Sequence, residues 1–444
     1  MKIVYIIPGS GGSFYCENCI RDMAAARALQ KAGHEVTIIP MYLPLLDDTR
    51  QLQNRSPVFY GAVSLYLKQL VPFLRHLPGW LTRLLDSPAA LALAARQAGS
   101  TRAAGLDSLT LSMLAGENGN QAAELSALIE WLQSREKPDI VHISNALLLG
   151  LAPGIHRRLG VPVVCSLQDE DTWVNAMERN SAAAAWQLMT EQARYVSRFI
   201  SVSGYYTDFM QQMLSLHPEK IVTVYNGIET HKYRTAPLDF DPPVIGYLSR
   251  ESGNMGLGIL IEGFIRLKKY PGMEKVRLHI TGGHTDDDRK FLRNIRNRLH
   301  RANLDTQVSF LENFSQDERA AFLENITILS VPAPGGAAFG LYQLEAAASG
   351  VPVVQPHAGA FPELIKATGC GITYDPEKQD GLSLALFSLL SDPAGTRELG
   401  KRGQETVRKG FTIEHVVGRL SAVYRQCIPG RINNTGEIKD AVGT

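Results

Sequence analysis

The 444-residue chain has no apolar run long enough to span a bilayer. Its opening, MKIVYIIPGSGG, has a single lysine before a very short apolar run, which suits a first buried strand better than an export signal. Cysteine is scarce: five residues, an odd number, argue against a disulfide framework and for a reduced, cytoplasmic setting. No charge sign dominates, since 45 Lys and Arg face 44 Asp and Glu for a net charge of +1; no global field draws nucleic acid, and any basic surface is local. Cys16-Glu-Asn-Cys19 is a C-x-x-C with no second C-x-x-C and no His pair at ligand spacing, so two small side chains packing a loop are expected there rather than a redox pair or zinc site. The first glycine loop lacks the G-x-G-x-x-G spacing and EVTIIP ends without an acidic residue, which sets a dinucleotide-dependent dehydrogenase aside.

What is present is alternation. An apolar strand at 3–7, a glycine loop, the helical IRDMAAARALQKAG and the strand EVTIIP are followed, after an insertion at about 56–120, by DIVHIS, VPVVCS, RFISVS and KIVTVY with helices between them. Residues 229–243, polar and proline-rich, read as a linker. The pattern then restarts with PVIGYLS, VRLHIT, VSFL, ITILSVP, VPVVQ and GITYD. β-branched runs between amphipathic helices indicate parallel sheets covered on both faces. The expected fold class is α/β, with two doubly wound, Rossmann-like domains facing a cleft and a helical insertion in the first. The expected boundaries are 1–235 and 236–411, with a helix over 412–430 returning to the first domain.

Ligands of such sheets bind at the carboxyl ends of strands. The first strand leads into Gly9, Gly11, Gly12 and Ser13, with Glu17 opening the next helix, a loop suited to phosphate. His142 lies inside its strand, where a satisfied core histidine is expected. Asp169, Glu170 and Asp171 follow VPVVCS; a D-x-D pair can hold a metal or orient a substrate hydroxyl, or simply favour a helix start. Asp286–Asp288 open a helix as caps. Arg250 follows a strand, and a planar, permanently charged guanidinium is a natural diphosphate clamp. PGGAAFGLYQLEAAASGVPVV then gives a glycine loop and a helix start whose first amides, from Phe339, Gly340 and Leu341, suit phosphate or sugar oxygens. Glu345 is a lone carboxylate on an otherwise apolar helix, costly unless paired or hydrogen-bonded; a ribose diol would satisfy both its oxygens.

The order of YNGIE, GYLSR, FGLYQLEAAASGVPVV and GAFPELI resembles retaining nucleotide-sugar glycosyltransferases of the GT-B fold, family 4 type, over nearly the whole chain outside the insertion. The resemblance implies transfer of a sugar from a nucleoside-diphosphate donor to an acceptor hydroxyl with retention, without metal or cofactor, the donor held mainly by the second domain. It places Glu345 on the donor ribose, Arg250 on the diphosphate, the Phe339–Leu341 amides on sugar or phosphate, and Gly11–Gly12 over the reacting centre. Asp169, Asp171 or Glu17 would orient the acceptor. The departures are specific: Ala337 stands where the family has the first glutamate of E-x7-E, Met255 where it has a lysine, and Ser144 and Gln168 where histidines are common. The alternative expectation is therefore a catalytically degenerate relative that binds a nucleotide or glycan or supports a partner subunit. The acceptor is a glycan, a small molecule or a lipid-linked molecule. The Trp80- and Arg83-bearing stretch at about 65–85, broken by Pro72 and Pro78, reads first as helices packed over the active-site side of the sheet and second as peripheral contact with the inner membrane face.

Overall fold

The computed structural model describes residues 1–8, 14–42 and 106–429. The glycine loop at Gly11, Gly12 and Ser13, the insertion up to residue 105, and with it the membrane-contact stretch at about 65–85, lie outside the described residues. The chain divides into two compact units. Residues 14–17 group with the second unit, which otherwise runs Tyr225–Val416; the remaining described residues, including those from Val417 onward, form the first.

The first unit is built on six parallel strands in the order β2-β1-β3-β4-β5-β6. These are β1 (Lys2–Ile7), β2 (Glu35–Pro40), β3 (Ile140–Ile143), β4 (Val163–Leu167), β5 (Arg198–Ser201) and β6 (Ile221–Thr223). β3 and β4 are buried at every position, the reason their sequences read as unbroken apolar runs rather than alternating ones. The helix Ala152–Leu159 between them ends on Gly160 in the left-handed conformation, which lets the chain reverse into β4.

The second unit repeats the plan with the order β9-β8-β7-β10-β11-β12, again all parallel. Its strands are β7 (Val244–Leu248), β8 (Arg277–Thr281), β9 (Val308–Leu311), β10 (Ile328–Leu329), β11 (Val353–Pro356) and β12 (Gly371–Tyr374). The helix Leu257–Leu267 buries Leu257, Leu260, Ile261, Phe264 and Leu267, the spacing of one helical face; each such side chain contributes about 1.5–3 kcal/mol. Residues 229–243, read from sequence as a linker, pack on this unit. Tyr233 and Ala236 are buried, and the Ala236 amide donates to Ser349 O at 2.8 Å.

In this second sheet the order in which strands are added reverses at the boundary between β7 and β10, which lie side by side and parallel. Such a switch point opens a crevice at the carboxyl ends of its two flanking strands. β7 leads directly to Arg250, and β10 leads to the glycine loop and the helix Leu341–Ala348.

Candidate functional site

The helix Leu341–Ala348 begins at Gly340, whose φ of +92° favours glycine, and all eight of its residues are buried. Glu345 therefore has no access to water. Its partners are within the chain: Oε1 accepts from the Tyr233 hydroxyl at 2.5 Å and Arg319 Nε at 3.0 Å, and Oε2 accepts from the Tyr15 hydroxyl at 2.7 Å. The apparent isolation of Glu345 in the sequence was a lack of local partners only. Burial alone would lower Arg319; the Glu345 carboxylate, by its charge and its hydrogen bond, outweighs it and holds the guanidinium protonated. Burial, then the charges of Glu345 and Glu17, push the Tyr15 hydroxyl well above its ordinary range, so it stays a donor. Sequence reasoning missed Arg319. The available signal was its place on the buried face of the helix Gln316–Glu324, beside Ala320, Phe322 and Leu323.

Arg250 donates to Asp288 Oδ2 from Nε at 2.9 Å and from Nη2 at 2.8 Å, and to Thr285 Oγ1 at 2.7 Å. Thr285 and Asp288 form a capping box, the capping role expected for Asp286–Asp288, with Asp288 also fixing the guanidinium plane. Met255 lies in the turn after Arg250, and the Tyr247 hydroxyl donates to both carbonyls, at 2.7 Å to Arg250 and 3.2 Å to Met255. Ala337 sits half-buried in the glycine loop, its carbonyl accepting from the Ala360 amide at 3.0 Å.

Residues 14–17 connect these positions. The Phe14 ring lies 5.0 Å from Arg250 Cζ, Tyr15 reaches Glu345, and Glu17 Oε2 accepts from the Leu341 amide at 2.8 Å. Three residues of this four-residue segment thus touch the arginine, the helix start and the carboxylate that the sequence resemblance assigns to diphosphate, sugar and ribose. Cys16 and Cys19 are both disulfide-bonded, and Cys165, Cys370 and Cys427 are free. This corrects the expectation of two packing thiols: the C-x-x-C is oxidised.

In the first unit, Asp169 has φ +55° and opens the short helix Glu170–Val174 without a side-chain cap bond. Asp171 Oδ1 accepts from the Tyr206 hydroxyl at 2.9 Å. The buried residue is Glu170, which accepts from the amides of Ala146 at 2.8 Å and Gln168 at 2.7 Å and from Tyr206 at 2.8 Å. Burial pushes its carboxyl up to about 7 against the pull of these donors. His142 is a satisfied core histidine: Nδ1 meets the Tyr424 hydroxyl at 2.6 Å and Nε2 the Ser166 hydroxyl at 2.8 Å, and burial, then Arg21, bring it down to about 3. At the two positions where histidines were anticipated, Gln168 Nε2 donates to Ser144 O at 2.8 Å. Among the described residues no group of three or more His, Cys, Asp and Glu is arranged to hold a metal, and no helix is long and apolar enough to cross a membrane.

Two sequence families match the chain: Glycosyltransferase Family 4 over residues 111–232, and Glycosyl transferases group 1 over 232–406. The chain is 24% identical over 304 residues to an MMP alpha-(1->4)-mannosyltransferase of Mycolicibacterium hassiacum, covering 65% of this chain and 71% of that one. The sucrose-phosphate synthase of Thermosynechococcus elongatus superposes with a TM-score of 0.70 at 16% identity, covering 96% of this chain and 99% of that one. Anabaena HepE, solved in complex with UDP-glucose, superposes with a TM-score of 0.65 at 15% identity, covering 95% and 99%.

Proposed function

Because the chain belongs to the GT-B glycosyltransferases, we propose that it moves a sugar from a nucleoside-diphosphate donor to an acceptor hydroxyl with retention of configuration and without a metal ion. The donor's diphosphate lies at Arg250 and the amides of Phe339, Gly340 and Leu341. Glu345 faces its ribose, by exchange of the Tyr15 hydroxyl for a ribose hydroxyl. One observation carries the reading: Arg250 and the Leu341 helix start follow the two strands that flank the switch point of the second sheet, and a four-residue segment spans them and Glu345. Among the described residues Gln343 Oε1, buried in the first turn of that helix, has no donor, an orphan that a polar ligand would satisfy.

Retention needs no strong nucleophile when the leaving diphosphate and the incoming hydroxyl share one face of the sugar. It needs a stabilised diphosphate and an oriented acceptor. Arg250 and the helix amides supply the first; Asp169 or Asp171 is the proposed source of the second. UDP-glucose, bound in the HepE complex, is the first donor to assay, followed by a panel of UDP-, GDP- and ADP-sugars. Turnover of one of these, lost in Arg250→Ala by about a hundredfold or more, supports the assignment; undiminished turnover in Arg250→Ala with Glu345→Ala removes it.

A second reading has its own observations. Ala337 and Met255 remove a carboxylate and a cation, and Arg250 is committed to Asp288 by two hydrogen bonds. A degenerate relative that binds a nucleotide or glycan would show calorimetric binding without turnover on any donor. Activity retained in chelator separates the first reading from a metal-dependent transferase working through Asp169 and Asp171.

A further inference from the structure

Residues 14–17 make the contacts a ligand would make at the donor site. Phe14 forms an antiparallel bridge with Gly283 and lays its ring on Arg250. The Tyr15 amide donates to Gly282 O at 2.6 Å while its hydroxyl holds Glu345 and its ring lies 5.5 Å from Arg319 Cζ. Glu17 puts a carboxylate oxygen on the Leu341 amide, where a helix start accepts an anion. An anionic oxygen on the amide, a hydroxyl on the carboxylate and a ring on the guanidinium are the three kinds of contact that a nucleoside diphosphate offers.

The segment also carries the disulfide. Cys16 and Cys19 are disulfide-bonded and the other three cysteines are free, so they are bonded to each other, and both are partly exposed. The ring they close contains Glu17, the residue seated on Leu341. We propose that Cys16–Cys19 is a redox-active disulfide whose substrate is a dithiol reductant, and that in its oxidised form it holds Phe14–Glu17 in place as an internal competitor of the donor. The competition rests on the donor-site reading above; the redox control of the segment does not.

A cross-link over so short a ring removes most of the open conformations of the loop, so the docked conformation gives up little entropy while the bond is intact. Cys19 lies in the first turn of the helix Glu17–Lys31. A thiolate there is stabilised by the backbone amides, which makes it a good leaving group and the disulfide reducible. The reductant's thiolate attacks Cys16 Sγ and expels Cys19 as a thiolate, leaving a mixed disulfide. The reductant's second thiol then displaces Cys16 and leaves with its own disulfide closed. Two electrons and two protons pass to the protein, giving two thiols.

Amide hydrogen exchange on the full chain, oxidised and after dithiothreitol, with the Cys16→Ser, Cys19→Ser double variant as a second reduced form, tests the proposal. Leu341 is the first residue of its helix, so its amide has no intrahelical partner and Glu17 is its protector. Reduction is expected to speed exchange at Tyr15 and Leu341 by about tenfold or more while Leu329 and Val353, in the sheet, stay protected. Equal protection in all three forms overturns the proposal. Calorimetry with UDP, GDP and ADP is the second arm, and a Kd about fivefold or more tighter after reduction is expected. Faster exchange with unchanged Kd overturns the competition. Faster exchange with no nucleotide bound by any form overturns the donor-site reading and upholds the disulfide's control of the segment.

Discussion

Arg319 Nε lies 3.0 Å from Glu345 Oε1, and both side chains are almost wholly removed from water. Two tyrosine hydroxyls supply the rest of the carboxylate's hydrogen bonds, so the charge inside the helix Leu341–Ala348 is compensated by residues far away in sequence. A buried pair of this kind contributes little over an apolar replacement, but losing one partner leaves a bare charge. Arg319→Leu is expected to destabilise the protein by about 3–5 kcal/mol. Arg319→Leu with Glu345→Gln should recover most of that, because the amide that replaces the carboxylate accepts from one tyrosine hydroxyl through its oxygen and donates to the other through its nitrogen, without a net charge. Urea denaturation of the four proteins measures the coupling; a single-variant cost under about 1 kcal/mol would mean that the pair does not balance the carboxylate.

Met255 stands in the turn that follows Arg250, tied to it through the shared Tyr247 hydroxyl. Arg250 is the cation already beside the proposed diphosphate, and the resemblance puts a second one at this position. Met255→Lys is expected to tighten UDP binding about tenfold and to raise donor turnover by a similar factor, since a charge-assisted contact contributes about 1.5–3 kcal/mol. Its side chain is half-buried, so stability should move by less than about 1 kcal/mol. Weaker UDP binding in Met255→Lys would place the diphosphate elsewhere.

His142 and Glu170 titrate in opposite senses. The folded state brings His142 down to about 3 from 6.5, so its contribution is lost as pH falls below 6.5, where the unfolded chain takes up a proton. Glu170 is raised from 4.5 to about 7, so its contribution is present at low pH and lost as pH rises through about 7. Between pH 4.5 and 6.5 the two slopes, each about 1.4 kcal/mol per pH unit, cancel. Glu170→Gln should therefore show stability falling with acid by about that slope relative to wild type, and His142→Gln should show it rising. Denaturant midpoints at half-unit pH steps test this; parallel curves for wild type and Glu170→Gln would show that the carboxyl is not held protonated.

The fold was legible because a parallel sheet buried on both faces writes itself as repeated β-branched runs, and every run read as a strand, from EVTIIP to GITYD, is one. Local signals also carried Asp288, whose part in the Thr285 capping box is a short-range pattern, and His142, whose place in mid-strand implied burial. The partners of Glu345 were not legible. Tyr15, Tyr233 and Arg319 come from three separate segments, and nothing short-range in their spacing points at one another. The same holds for Arg250 and Asp288, 38 residues apart. The disulfide was misread from composition: five scattered cysteines argue against a framework, but an i, i+3 pair needs no framework to close.

Gly335 and Gly336 are adjacent in the loop before the buried helix, yet their requirements differ. Gly336 has φ +77°, and a Cβ there would lie 2.5 Å from both Ala358 C and Gly359 N, which are backbone atoms and cannot turn aside. Gly335 has an ordinary φ and nothing within 4 Å of the added carbon. Gly335→Ala should be neutral to slightly stabilising, within about 1 kcal/mol, because the unfolded chain loses freedom while the loop keeps its shape. Gly336→Ala should cost about 2 kcal/mol or more through strain and displaced backbone. Since that displacement moves residues 337–341, UDP binding should fall with it, and more steeply than stability alone would dictate. Thermal denaturation paired with UDP calorimetry on the two variants separates the effects. A Gly336→Ala protein that keeps wild-type affinity would show that the loop does not set the helix start at Leu341.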